Sequence, residues 1–123
     1  MKSHLALVEK WWGSARHAFD SPHCAVSILY TELGGYCSRH FHTHRVNRFL
    51  VISGSLDVVT YSGNIEETRE RLGPGDVLDI EANIVHRFEV VEPGIVVEVY
   101  WPSSPEVSVR LDDIERLDIG GKR

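Results

Sequence analysis

Two cysteines in 123 residues are too few for a disulfide framework, and Cys24 and Cys37 make no CxxC or other paired metal spacing. Both are expected to be reduced and partly buried. Long apolar runs are also lacking. The start, Met1 to Val8, has one basic residue, Lys2, and an apolar stretch too short for a signal peptide or a membrane span. A cytoplasmic location and no membrane partner are therefore the default expectations. Positive charge is not in excess: a formal net charge of -5 argues against a nucleic-acid partner, because phosphate-backbone binding needs a basic surface. Arg39, Arg45 and Arg48 nevertheless cluster in one segment, where they would suit a small anion. No long stretch between turns has helical periodicity, and no repeat, low-complexity tract or linker divides the chain.

What is present is β-type sequence. With 42% hydrophobic residues the chain is long enough to bury a core without staples, and residues 1–123 read as one domain. From residue 25 onward, short runs rich in Val, Ile and aromatic residues follow one another: 25–33, 49–53, 56–61, 76–80, 86–91 and 95–101. Between them stand Gly34-Gly35, Ser53-Gly54-Ser55, Ser62-Gly63-Asn64, Gly73-Pro74-Gly75 and Pro93-Gly94, which permit positive φ or preset a turn. Many short strands at close spacing predict an all-β antiparallel barrel or sandwich. Alternation in the last run puts Ile95, Val97, Val99 and Trp101 on one face and Val96, Glu98 and Tyr100 on the other. Glu98 and Tyr100 would then line a cavity or face solvent. Trp11 and Trp12 are expected to pack over one barrel end. Leu111 to Leu117 suits a short amphipathic turn or helix, with Ile114 and Leu117 on one side.

Four of the seven histidines occupy two places, His40-Phe41-His42-Thr43-His44 and His86. Residues two apart on a strand share a face, so His40 and His42 would aim both imidazoles one way, about 7 Å apart along the backbone. His44 has the same parity and either joins them or turns away where the strand ends. Three imidazoles in five residues are hard to explain by packing, because neutral rings need partners when buried and charged ones repel. His4, His17 and His23 stand alone and read as surface or hydrogen-bonded residues.

These residues resemble the cupin superfamily. Its first motif is Gly, five residues, HxH, three or four residues, Glu, six residues, Gly, and Gly34, His40, His42, Asn47 and Gly54 match it with Asn47 at the Glu position. In the second, Gly75 and His86 fall in register, while Glu81, Asn83 and Val90 stand at the Pro, Gly and Asn positions. A narrower resemblance, to the C-terminal cupin domain of type II mannose-6-phosphate isomerases, is carried by five segments. They are Trp12-Gly13-Ser14, residues 38–54, residues 84–89, Val97-Glu98-Val99 and residues 112–117. Those isomerase domains look like Q-x-H-x-H-R-x-E, so His40 takes the Gln position, Arg45 is kept and Asn47 takes the Glu position.

The resemblance implies a double-stranded β-helix, or jelly-roll barrel, with short N- and C-terminal extensions. It implies a divalent metal, Zn, Ni, Mn, Co or Fe, on His40, His42 and His86, with Asn47 at the fourth position. An Asn carbonyl is a weaker donor than a carboxylate and leaves the ion more electrophilic. For an isomerase, Glu98 and His44 are the candidate proton-transfer groups, and Arg45, Arg48 and Tyr100 the candidate substrate contacts, with a phosphorylated sugar as the implied ligand. Two other classes stay open: an Fe(II) three-histidine dioxygenase, and a non-catalytic module that binds a small ligand. Small cupins resemble dimers, and an exposed edge strand with the aromatic N-terminus suits a homodimer.

Overall fold

The computed structural model describes residues 1–103, 108–112 and, for the backbone alone, 120–122. Among them are eleven strands. They are β1 (Val8–Lys10), β2 (Gly13–Asp20), β3 (Ala25–Thr31), β4 (Gly35–Cys37), β5 (His40–His42), β6 (Val46–Ser62), β7 (Ile65–Leu72), β8 (Val77–Ile80), β9 (Val85–Trp101), β10 (Ser108–Arg110) and β11 (Gly120–Lys122). All pairings are antiparallel, as the turn-rich sequence predicts. No helix among the described residues is long and apolar enough to cross a membrane. The amphipathic segment expected over 111–117 falls largely outside the described residues.

The architecture rests on β6 and β9, each of 17 residues and paired along most of their lengths. The sequence reads each as two strands separated by a turn, at Ser53-Gly54-Ser55 and at Pro93-Gly94. Instead each chain continues through a corner. The register of the pair shifts between Val51 and Leu56, and Gly54 adopts φ +76° there. A β-carbon on Gly94 would lie 2.0 Å from the Ser53 carbonyl oxygen, so the two corners are pressed backbone to backbone. Thr31 fastens this corner, accepting from Gly94 N at 2.9 Å and donating to its carbonyl at 3.2 Å. The sheet thereby folds back over itself and encloses an interior.

Where residues 46–51 of β6 pair with residues 96–101 of β9, what is buried changes with distance from the corner. One interior row crosses β2, β3, β9 and β6 as Ala15, Leu29, Val96 and Val51, all almost fully buried. The next, through His17, Ser27, Glu98 and Phe49, is mixed, and the one after it carries Tyr100 opposite Asn47. The barrel is thus oily at the corner and polar at its other end. Trp12 closes the apolar part edge-on to Phe88, with ring centroids 5.1 Å apart, whereas Trp11 is exposed.

β7, Ile-Glu-Glu-Thr-Arg-Glu-Arg-Leu, has no apolar periodicity and is not predicted by the sequence reading. Cross-strand charge holds it instead. Arg69 and Arg71 both reach Asp57 on β6, and Arg69 also meets Glu66 and Glu89. The guanidinium of Arg71, then that of Arg69, holds the Asp57 carboxyl below its usual range.

The corner yields a prediction. Gly94→Ala drives a β-carbon into backbone that has no room to retreat, and should lower stability by about 3 kcal/mol or more in urea denaturation. A change within about 0.5 kcal/mol would mean the corner is looser than described.

Candidate metal centre

β5 is three residues long, His-Phe-His, and its pairing sets His40 directly across from His86 on β9. The loop before β9 is tied down by Asn83, whose N–H donates to the His42 carbonyl at 2.7 Å. Asn83 adopts φ +69°, the left-handed conformation that glycine supplies most readily and Asn tolerates. The residue at the motif's Gly position therefore keeps the glycine conformation. Ring centroids of the three histidines lie 4.4, 4.8 and 5.5 Å apart, and their ligand nitrogens all fall within 4.8 Å of one another.

Hydrogen bonds decide which nitrogen of each ring faces inward. His40 Nδ1 lies 2.8 Å from the Ser38 carbonyl and His86 Nδ1 2.9 Å from the Ile84 carbonyl. A carbonyl oxygen can only accept, so both Nδ1 atoms carry the proton and both Nε2 atoms present lone pairs. His42 Nδ1 is held by Ser108 Oγ at 2.8 Å, and its Nε2 is buried with no hydrogen-bond partner among the described residues. Asn47, fully buried, donates from Nδ2 to Glu98 Oε2 at 3.2 Å and sets Oδ1 3.1 Å from His86 Nε2. With its proton on Nδ1, His86 turns an Nε2 lone pair toward the same region as the Asn47 carbonyl oxygen.

Burial, the largest cause in each case, lowers the pKa of all three rings. His86 falls to about 3, with His40 a further cause, and His42 to about 2, with His40, Arg45 and His86 adding to it. His40 is lowered too, by burial and then by Arg110 and Arg45, against the Ser38 carbonyl. Neutral imidazoles with inward lone pairs are what a divalent ion requires. The residues present fit a borderline transition metal with nitrogen preference, which would give His42 Nε2 the partner it lacks among the described residues.

A cavity of about 790 Å³ opens onto this centre. Glu98 and Tyr100 line it, as the interior option of the alternation predicts, together with Arg45, His40 and His42. Glu98 accepts from Tyr100 and from Asn47, but burial outweighs both and raises its carboxyl. Arg45 is buried and stacks on the Tyr100 ring with its guanidinium carbon 3.8 Å from the centroid. Two other expected contacts are elsewhere. The chain leaves the strand after His42, so His44 is exposed and bonds Thr43 Oγ1 at 2.6 Å. Arg48 alternates away from buried Asn47 and pairs with Asp79 through two contacts of 2.7 and 3.0 Å on the outer surface. Neither lines the cavity. Lys10 and Arg110, opposite His40 on β10, do so without having been singled out by the sequence, and so does His17, which is exposed and hydrogen-bonded as expected, with Nδ1 2.9 Å from Ser27 Oγ. No local pattern marks them, since each arrives from a distant strand.

The fold matches many solved structures. Oxalate decarboxylase from Bacillus subtilis superposes with a TM-score of 0.75 at 18% identity over 87% of this chain, which spans 30% of that longer protein. An RmlC-like cupin from Shewanella frigidimarina NCIMB 400 gives 0.70 at 13% identity, covering 82% of this chain and 86% of that one. The chain has the cupin fold. KdgF from a Halomonas species is similar as well, at 0.64 and 19% identity over 72% of this chain and 79% of that one. No protein-family model matches the sequence, and no curated protein matches it.

The neutral rings make acid stability testable. In a metal-free unfolded chain these histidines take up protons near their ordinary value of about 6.5, and in the fold they do not. Their contribution is complete above that pH and declines as the pH falls toward about 3, where His86 itself protonates. Each should add a slope of up to about 1.4 kcal/mol per pH unit below pH 6.5 in denaturant titrations, and His86→Ala should be shallower. A flat profile between pH 7 and 5 would contradict neutral burial.

Proposed function

We propose that the chain is a metal-dependent small cupin in which His40, His42 and His86 hold one divalent ion for chemistry on a small polar molecule in the cavity. The observation that carries this reading is the pair of Nδ1–H donors to the Ser38 and Ile84 carbonyls, which commits Nε2 of both rings to the interior as lone pairs. Asn47 supports it by aiming its carbonyl oxygen at the same point. Zn, Ni, Mn, Co and Fe all accept such a donor set.

When bound, the ion supplies Lewis-acid polarisation of a carbonyl or hydroxyl oxygen. The chain's own residues do the rest. Glu98, raised by burial and lying behind Asn47, is the group suited to take or return a proton on the substrate. Tyr100 orients it, and Arg45, fixed by its stacking on Tyr100, holds a negatively charged part of the ligand. The apolar row beyond excludes water from the far side of the barrel. Together these suit isomerisation or epimerisation of a sugar phosphate, the reaction that the resemblance to mannose-6-phosphate isomerase domains implies. His44 and Arg48 play no part in it.

Elemental analysis of the purified protein should find about one transition-metal ion per chain. His86→Ala should lose it while keeping the circular-dichroism spectrum of the parent. Metal-loaded protein should then turn over mannose 6-phosphate or another aldose phosphate, and Glu98→Gln should reduce that turnover by a factor of about 10² or more at unchanged metal content. A loaded protein inert to the whole panel would remove the isomerase reading and leave the metal. An all-histidine, neutral donor set also suits Fe(II), so oxygen uptake by the iron-loaded protein is the control for dioxygenase chemistry.

A further inference from the structure

Two of the three imidazoles are oriented from within their own stretch of chain, by the carbonyls of Ser38 and Ile84, which can only accept. His42 is oriented from elsewhere. Its Nδ1 faces the Ser108 hydroxyl at 2.8 Å, and that hydroxyl lies 66 residues further along the chain, on β10. A hydroxyl can either accept or donate. When Ser108 accepts, His42 carries its proton on Nδ1 and turns an Nε2 lone pair toward the centre. When Ser108 donates, the proton sits on Nε2 and the ring cannot ligate. The third ligand therefore depends on the placement of β10.

Few groups hold that strand. It pairs with β5 in the register Ser108–His42, Val109–Phe41 and Arg110–His40. Just beyond, Leu111 N donates to the Arg39 carbonyl at 2.9 Å, and Asp112 accepts from both the backbone N–H and the Nε–H of Arg39, each at 2.6 Å. Apolar burial adds little, since residues 108–111 are exposed, Val109 at 37% and Leu111 at 44%. A segment fixed by exposed backbone hydrogen bonds and one ion pair opens more readily than the core. β5 depends on it in turn. Among the described residues the other ladder partner of β5 is β9, through His40 and His86 alone.

We propose that Ser108 is a positioning residue for the metal centre, and that docking of residues 108–112 and metal binding are coupled through it. This rests on the metal reading above. An ion on His42 Nε2 selects the Nδ1–H tautomer, which needs an acceptor, and among the described residues Ser108 Oγ is the one in reach. The ion thus tightens the strand, and the docked strand tightens the ion by the same factor. Ser108 and Arg110 also line the cavity, so the same docking completes the wall beside the metal.

Zinc is titrated into the metal-free full chain and into two variants, and amide exchange is followed by NMR with and without saturating zinc. Ser108→Ala should lose about tenfold or more in zinc affinity, the effect of removing the partner that orients a ligating imidazole, and Ser108→Thr, which keeps the hydroxyl, should recover most of it. Proton–nitrogen correlation should show His42 as the Nδ1–H tautomer in the wild type and as a mixture in Ser108→Ala. Zinc should slow exchange of the Leu111 amide by about tenfold or more in the wild type and by less than about twofold in Ser108→Ala. Unchanged affinity in Ser108→Ala, or a loss that Ser108→Thr does not repair, would overturn the proposal and leave the metal centre standing. So would a wild-type Leu111 amide indifferent to bound zinc, a result that needs no variant to fold. No zinc binding by the wild type would overturn both.

Discussion

Two carbonyl oxygens that can only accept, those of Ser38 and Ile84, govern the polar end of this barrel. By taking the Nδ1 proton of His40 and His86 they fix both tautomers and turn two lone pairs to one point. Both carbonyls lie two residues before the histidines they orient, so the arrangement depends on how the chain enters β5 and β9. That entry is itself secured by backbone. His40 faces His86 across the pairing of those strands, and Asn83, in a left-handed conformation, donates to the carbonyl of His42. Disturbing any of these moves a lone pair and not only a side chain.

The corner at Gly54 and Gly94 does for the whole fold what those carbonyls do for the centre. Because β6 and β9 pass through it unbroken, residues of one strand serve both sides of the interior. β9 supplies His86 from one half and Glu98 and Tyr100 from the other, and β6 brings Asn47 between them. The apolar row of Ala15, Leu29, Val96 and Val51 anchors the corner, which frees the opposite end to hold costly polar groups.

Much of this was legible in the chain, and the failures have physical causes. Period-two alternation placed His40 with His42 and Glu98 with Tyr100, because strand parity is a local property. Parity carries no information past a strand end: His44 shares the count of His40 and His42 but turns away beyond β5, and nearness in sequence to the histidines does not bring Arg48 inside, since it sits one residue out of phase with buried Asn47. Gly54 and Pro93-Gly94 were read as turns because bulged corners and turns draw on the same residues. β7 escaped notice since cross-strand ion pairs hold it and no apolar pattern does. Lys10, His17 and Arg110 reach the cavity from strands remote in sequence, and only the folded sheet brings them there.

The central claim is that the histidines present unprotonated Nε2 atoms to a common point. Long-range proton–nitrogen correlation NMR of the metal-free protein at neutral pH measures this most directly. The account predicts Nδ1–H tautomers for His40 and His86, with the Nε2 resonances of all three rings shifting together on addition of one equivalent of zinc. Nε2–H tautomers, or rings that ignore the zinc, would contradict it.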